Sequence, residues 1–381
     1  MEKKANIFVI CAPEISSILH QGIKTLGFSN TTEHRLGVQL FGSFADTMYL
    51  NLHLRTANKV LWEISKFYAA TPEQMYQKAT TLPWEEEIAI DSYFNIDSYV
   101  KNDTISDSRY ANLKLKDAIA DRFSRKKGRR PDSGPEKDKI RLYMHWRDSE
   151  CILYYDTSGG VIAKHGYRKI PGKAPMLESL AAAVIMTSAW DKKETFVNPM
   201  CGSGTLAIEA ALMATNTPPG LFRDNFGFMH LASYNKEKWL TMLAEARNNI
   251  QDCETKILAS DLSSEAIEIS IANAKAADMA KHISFDTRDF RDIDVPEAAG
   301  IVILNPAYGE RLGEVEELRT TYREIGDFFK QKCKGYFGYI FTGNRELAKV
   351  VGLRTKRKVE FMNAQIDCRL LEYELYSGSK K

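Results

Sequence analysis

Apolar and polar positions follow one pattern up to about Gly160 and another from Met176 onward. In the first stretch "NIFVICAP" reads as a strand, followed by a helix from Glu14 to about Lys24 that Gly27 closes. "GVQLFGSFADTMYLNLHL" reads as strand-like segments around Gly42. "TANKVLWEISKFYA" reads as a helix with Val60, Leu61, Ile64 and Phe67 on one face. A second helix, about Asn112 to Lys126, places Leu115, Ala118, Ile119 and Phe123 on one side; its other side and its end carry Lys116, Arg122, Arg125 and Lys126. "RPDSGPEKDK" is loop, and "IRLYMHWRDSECILYYDTSG" reads as a strand pair. The expectation is an α+β region.

After the Gly/Pro-punctuated connector "HGYRKIPGKAP", helix and strand alternate. "MLESLAAAVIMTSAW" is a helix, and "ETFVNPMCGSGTLAIEAALMATN" is strand, Gly loop and helix. Beyond an insertion from about Thr217 to Asp252 come "KILASDLSSEAIEISIANAKAAD", "ISFDTRDF" and "GIVILNPAYG". A helix, "EELRTTYREIGDFFKQKC", leads to the strand "GYFGYIFTGN", and "KVEFMNAQIDCRLLEYEL" reads as two strands joined around Asn363-Ala364. Such alternation predicts a doubly wound parallel sheet with a strand pair at its end.

Composition narrows the class. At 381 residues, with 44% hydrophobic and 27% charged, the chain has room for two or three domains. The apolar run after Met1 is too short for a secretory leader, and no stretch is long enough to span a bilayer. The six cysteines are scattered without a C-x-x-C pair, which argues against structural zinc and a disulfide framework. Reduced thiols and a cytoplasmic location are expected. Net charge is only +2, but residues 101–130 hold ten Lys/Arg against four Asp/Glu, densest in "RFSRKKGRRP". Such a run is either a solvated face or a footprint for a phosphate backbone.

In an open α/β sheet, ligands sit beyond the carboxyl ends of the strands. Four strand ends carry suggestive residues. In "NPMCGSGT", Asn198 to Thr205, Gly202 and Gly204 let backbone approach a ligand, but the Lys of a P-loop and the spacing of G-x-G-x-x-G are missing. Asp261 is placed to hold ribose hydroxyls or to cap the next helix. Asp289, in "TRDF", is placed to accept from an adenine amino group. In "LNPAYGERLG", Pro306 stops a buried strand and Gly309 turns the chain.

Asn198–Thr205 and Asn305–Tyr308 resemble the cofactor loop and the NPPY loop of S-adenosylmethionine-dependent amino methyltransferases. Together with "GYRKIPGKAPMLESLAAAVI" and "NAQIDCRLLEYEL", they resemble the THUMP-containing guanine-N2 RNA methyltransferases of bacterial large-subunit ribosomal RNA (L type). "GVQLFGSFADTMYLNLHLRTANKVL" and "LKLKDAIADRFSRKKGRRP" are similar to that family's ferredoxin-like and THUMP modules. The resemblance implies a Rossmann-like class I methyltransferase domain, a mostly parallel seven-stranded sheet ending in an antiparallel hairpin, behind an α+β ferredoxin-like/THUMP region. The expected bounds are 1–60 (ferredoxin-like), 61–160 (THUMP), 161–175 (connector) and 176–381 (a single methyltransferase domain).

It further implies S-adenosyl-L-methionine as cofactor, RNA as partner, and neither metal nor membrane. Asn198, Pro199, Cys201, Gly202, Ser203, Gly204, Thr205, Asp261, Asp289 and Asn305 are the implied cofactor-binding residues, with Cys201 as a small packing residue. Asn305 and the carbonyl of Pro306 are implied to accept the two hydrogens of a guanine 2-amino group, with Tyr308 stacked on the base. Arg122, Arg125, Lys126, Lys127, Arg129 and Arg130 are implied to contact RNA, in 23S ribosomal RNA first. Arg168 and Lys169 are expected, from their position in the connector, to line the path between modules. Two positions depart from the family pattern: Asn198 stands for Asp and Ala307 for the second Pro. They keep open a non-catalytic RNA-binding or assembly factor with a decayed site. Transfer RNA is the rival substrate; a DNA adenine-amino methyltransferase shares the NPPY logic, but the RNA-type modules argue against it.

Overall fold

The computed structural model describes residues 3–105, 107–172, 175–297, 299–309 and 312–376, the side chains of 312–315 excepted. The chain divides into two compact units. One comprises Met1–Cys11, Leu19–Ile162 and Arg223–Glu245; the other comprises Ala12–Ile18, Ala163–Phe222 and Ala246–Lys381.

In chain order the first elements are β1 (Lys4–Cys11), α1 (Ser16–Thr25), β2 (Thr31–His34), β3 (Gly37–Ser43), α2 (Phe44–His53) and β4 (Ala57–Tyr68). Then come α3 (Pro72–Ala79), β5 (Tyr93–Lys101), α4 (Ser108–Lys127), β6 (Asp132–Ser133), β7 (Ile140–Arg147) and β8 (Glu150–Asp156). The strands form one eight-stranded sheet in the order β2-β3-β1-β4-β8-β7-β5-β6.

Two expected elements change type here. "TANKVLWEISKFYA" is not a helix but β4, the strand between β1 and β8, antiparallel to both. Val60, Leu61 and Trp62 are all buried, and the register slips between Glu63 and Ser65. A strand covered on both faces and interrupted by a bulge loses its two-residue alternation, so its apolar spacing imitates a helix. Conversely, "GVQLFGSFADTMYLNLHL" is strand only to Ser43, and Phe44–His53 is helical. The switch is a capping box: the Ser43 hydroxyl accepts from Asp46 N–H (3.3 Å), and the Asp46 carboxylate accepts from Ser43 N–H (2.7 Å).

The remaining elements are α5 (Glu178–Thr187), β9 (Thr195–Pro199), α6 (Thr205–Ala214), α7 (Lys236–Asn248), β10 (Ile257–Asp261), α8 (Ser264–Ala276), β11 (Ile283–Thr287) and β12 (Gly300–Leu304). They end with α9 (Leu312–Lys332), β13 (Tyr336–Thr342), α10 (Arg345–Lys349), β14 (Arg357–Asn363) and β15 (Ile366–Glu374). The excursion Arg223–Glu245, within the expected insertion, belongs to the first unit. Its Phe226, Phe228 and Trp239 rings cluster with centroids 5.0–5.6 Å apart.

The second sheet has seven strands in the order β11-β10-β9-β12-β13-β15-β14. Its first five are mutually parallel, β15 runs antiparallel to β13, and β14 closes the hairpin. This is a Rossmann-like class I methyltransferase sheet. The chain starts at central β9, moves outward to β10 and β11, then returns to β12 on the other side of β9. That reversal opens a crevice beyond the carboxyl ends of β9 and β12. Buried Tyr322, Ile325 and Phe329 of α9 pack in one core with Val302, Leu304, Ile340 and Leu371, which fixes α9 beside that crevice.

Candidate active site

β9 ends at Asn198-Pro199, and the chain leaves the sheet through a loop whose Met200, Gly202 and Gly204 are left-handed (φ 60°, 56° and 80°). Cys201 N–H donates to Ser260 O (2.9 Å), Gly204 N–H donates to Cys201 O (2.9 Å), and the Ser270 hydroxyl donates to Gly202 O (2.7 Å). A Cβ on Gly202 would meet nothing within 4 Å, so a ligand can approach the backbone there. At Gly204 a Cβ would lie 2.9 Å from Ser270 Oγ and 3.0 Å from its Cβ. Gly204→Ala is therefore expected to destabilise the fold by about 1–2 kcal/mol from backbone strain alone, and to displace Ser270 from Gly202. Chemical denaturation checks the first effect, and titration with S-adenosylhomocysteine checks the second.

The loop is also tied to the connector. Thr205 Oγ1 lies 3.3 Å from Ser203 Oγ and accepts from Arg168 (3.0 Å), which pairs with Glu178 at 3.4 Å. Backbone N–H groups of Lys169 and Ile170 donate to Asn273 Oδ1 (both 3.0 Å), while Asn273 Nδ2 donates to Ile170 O (2.8 Å) and Ser203 O (3.3 Å). Asn273 is buried in α8 with no motif around it, and sequence reasoning misses it. Burial pushes the Cys201 thiol up to about 12, leaving it neutral in the packing position expected of it.

Asn198 is fully buried; its Nδ2 donates to Ile303 O (2.9 Å), bridging β9 and β12, and its Oδ1 has no partner among the described residues. Asp261 accepts from Gly202 N–H through Oδ2 (2.9 Å) and from Ser263 N–H through Oδ1 (3.0 Å). It thus holds the Gly loop and also orders the approach to α8, with a lone pair left on each oxygen. Asp289 is clasped by Arg291, whose Nε and Nη2 reach its two oxygens at 2.9 and 2.7 Å. This bidentate contact holds its carboxyl below the usual carboxylate range. Met200, Asp261, Asp289 and Thr321 share the lining of a cavity of about 270 Å³.

Thr321 also lines a second cavity, of about 670 Å³, with Asn305, Pro306, Ala307, Tyr308, Asn363 and Ile366. Asn305 Oδ1 is buried and has no hydrogen-bond partner among the described residues. The loop is braced from behind. Tyr322 Oη donates to Ala307 O (3.3 Å) and bonds Thr342 Oγ1 (2.8 Å), and Asn344 Nδ2 donates to Tyr308 O (3.0 Å). These bonds hold the backbone at Ala307, where a second proline is missing, and Gly309 (φ 66°) makes the turn. Asn363, at the hairpin end, donates to the Tyr308 hydroxyl (3.1 Å). Burial pushes that phenol up to about 12, so it stays neutral in ordinary buffers. Sequence reasoning placed Asn363 in a turn and found neither its role nor those of Tyr322 and Asn344, because each acts across strands far apart in the chain.

In the first unit the basic run ends α4, closed by left-handed Gly128. Arg122 pairs with Glu85 (2.6 Å), Arg130 with Asp121 (2.9 Å) and Arg129 with Asp91, while Arg125 reaches the carbonyls of Asp121 and Thr80. Lys126 and Lys127 are exposed and form no ion pair among the described residues. Two of the six expected contact residues are therefore unengaged, and four have local acceptors. Among the described residues no helix is long and apolar enough to cross a membrane, and no group of three or more His, Cys, Asp or Glu could hold a metal.

Comparison with known proteins agrees with this geometry. Residues 165–372 match the RMKL-like methyltransferase domain, 69–156 the THUMP domain, and 6–61 the RlmL ferredoxin-like domain. Curated relatives include proteins named ribosomal RNA large subunit methyltransferase K/L. The one from Syntrophotalea carbinolica is 33% identical over 98% of this chain and 54% of its own length; the one from Psychromonas ingrahamii is 36% identical over 97% and 50%. The chain spans about half the length of these relatives. A Synechocystis protein provisionally named as an RNA methyltransferase is 30% identical over 97% of this chain and 96% of its own. A solved structure, provisionally named as a methyltransferase and complexed with S-adenosylhomocysteine, superposes with a TM-score of 0.89 at 25% identity over the full length of both chains. Another, from Listeria monocytogenes and named by prediction as an N6-adenine-specific DNA methylase, gives 0.88 at 28% identity over 98% of this chain and 97% of its own. The chain belongs to the RMKL-like family of class I, S-adenosylmethionine-dependent methyltransferases.

Proposed function

We propose that the chain is an S-adenosylmethionine-dependent RNA methyltransferase that modifies the exocyclic 2-amino group of a guanine in 23S (large-subunit) ribosomal RNA. The observation that carries this reading is Asn305 Oδ1, a buried acceptor with no partner among the described residues, on a side chain that lines a cavity with Tyr308. Leaving such an oxygen unpaired costs about 1–3 kcal/mol, and an amino-bearing base would satisfy it. The nitrogen of that amine is a poor nucleophile because its lone pair is delocalised into the ring. Asn305 Oδ1 and the Pro306 carbonyl, accepting its two hydrogens, would localise the pair on nitrogen. Tyr308, held by Asn363 and kept neutral, would stack on the flipped base.

The residues present fit the cofactor. Asn198–Thr205 would hold its amino-acid end, with the unpaired Asn198 Oδ1 as acceptor for the ammonium. Asp261 would take the ribose hydroxyls, and Asp289 would share itself between Arg291 and the adenine amino group. When bound, the cofactor supplies a methyl group on a sulfonium. Thr321, common to both cavities, marks where they meet. The basic end of α4 would contact phosphates: among the described residues Lys126 and Lys127 are free of ion pairs, Arg129 and Arg130 are in exposed, exchangeable ones, Arg122 is in a less exposed one, and Arg125 rests on backbone carbonyls. Relatives named as large-subunit ribosomal RNA methyltransferases support that substrate over transfer RNA.

Inosine substitution tests the target amine. Ribosomal RNA fragments carrying inosine, which lacks the 2-amino group, at the modified position should accept no methyl, whereas guanosine fragments should. Equal transfer to both would rule out the 2-amino group as acceptor.

A further inference from the structure

The positive charge of this chain is concentrated in two stretches. Residues 101–130 carry a surplus of six; residues 345–369, with seven Lys/Arg against three Asp/Glu, carry a surplus of four. Since the whole chain is only +2, the rest is net negative. The first stretch is the α4 run. The second lies in the catalytic unit, and its Lys and Arg side chains take no part in the site described above. Its residues enclose a cavity of about 520 Å³ between α10 and the β14–β15 hairpin. Arg345 and Lys349 of α10, Lys358 of β14 and Arg369 of β15 line it, against Glu360 alone among acids. Cations from three elements therefore converge on one groove.

The groove starts where the base pocket ends. Asn344, which caps α10 by accepting from Glu346 and Leu347 N–H, is the same residue that donates to Tyr308 O. Arg345 pairs with Asp367 (2.8 Å), next to Ile366 of the pocket wall. Thr342 lies in the groove lining while its hydroxyl bonds Tyr322, the brace of Ala307. Arg345 and Lys349 are accessible, their side chains 65% and 69% exposed, whereas Arg369 is 15% exposed and paired with Glu360 and Asp367. Lys358 is exposed and has no ion pair among the described residues. The pairs of Arg345 with Asp367 and of Lys349 with Glu346 are solvent-exposed, and such pairs contribute little, so phosphate oxygens can displace their acids.

We infer that the groove between α10 and the β14–β15 hairpin binds the phosphates of single-stranded RNA next to the nucleotide held in the Asn305–Tyr308 pocket. This rests on the RNA methyltransferase reading and adds a second contact surface on the catalytic unit. An extruded base needs the strand on either side of it fixed, because its target amine must reach the methyl donor within a few tenths of an ångström. Cations placed directly beside the pocket do this without reading sequence.

The test is binding of a fluorescent single-stranded ribosomal RNA fragment to the full chain, over a range of salt concentrations, in the presence of S-adenosylhomocysteine. Lys349→Glu/Lys358→Glu is expected to weaken binding at least tenfold. The slope of log K against log salt should become shallower by about 1.4, since each single-strand phosphate contact contributes about 0.7. Affinity for S-adenosylhomocysteine should not change. The same charge reversal at Lys330, in the last turn of α9, and at Lys334, just before β13, should leave the slope as in wild type. RNA affinity and slope unchanged in Lys349→Glu/Lys358→Glu, with wild type binding RNA, would overturn the groove and leave the methyltransferase reading standing. Wild type failing to bind RNA at all would overturn both.

Discussion

Asn305→Ala is expected to lower kcat for methyl transfer by about 10²–10³-fold, the range seen when one preorganised polar group is removed from a reacting centre. Asn305 follows β12 directly, and its Oδ1 is buried with no partner among the described residues. Alanine removes that acceptor without disturbing the bonds that brace the loop, which run through Ala307 O and Tyr308 O. The loss should therefore appear mainly in kcat, with a much smaller change in RNA affinity and in S-adenosylhomocysteine binding. Single-turnover transfer at saturating RNA separates these effects. A variant that transfers methyl as fast as wild type would remove Asn305 from the chemistry.

Asp261→Ala carries the second large effect. The carboxylate already accepts from Gly202 and Ser263 N–H, and the proposed ribose contacts would add two charge-assisted bonds. At about 1.5–3 kcal/mol for each hydrogen bond to a charged group, losing both costs more than a hundredfold in affinity. Loosening of the Gly loop adds to that. Asp261→Asn separates the contributions: it keeps an acceptor for Gly202 N–H but loses the charge, so it should fall between wild type and alanine. Calorimetric titration with S-adenosylhomocysteine reads all three proteins. Wild-type affinity in Asp261→Ala would show that the ribose lies elsewhere.

The alternating second half of the chain was legible because its central strands β9 and β12 are short, fully buried runs set between helices. The first half was less so. β4 lost its alternation to double-sided burial and a bulge, and α2 was betrayed only by the Ser43–Asp46 capping box. Asn198, Asp261 and Asn305 stand at strand ends, where the sequence already names them as candidates. It does not single out those that act by reaching across the fold: Asn363 on Tyr308, Tyr322 on Ala307, and Asn273 on the connector. Their neighbours in sequence are ordinary strand and helix residues, so spacing carries no trace of them. Asn198 shows the same limit. It stands where the family pattern has an aspartate, and its amide donates to Ile303 O, which a carboxylate cannot do.

The most direct measurement is the identity of the methylated nucleoside. Wild-type chain is incubated with labelled S-adenosylmethionine and unmodified large-subunit ribosomal RNA, with transfer RNA in parallel, and the products are digested and identified by mass. The account predicts label in N2-methylguanosine from the ribosomal RNA and its loss with Asn305→Ala. Label in N6-methyladenosine, label confined to transfer RNA, or no transfer despite intact cofactor binding would contradict it.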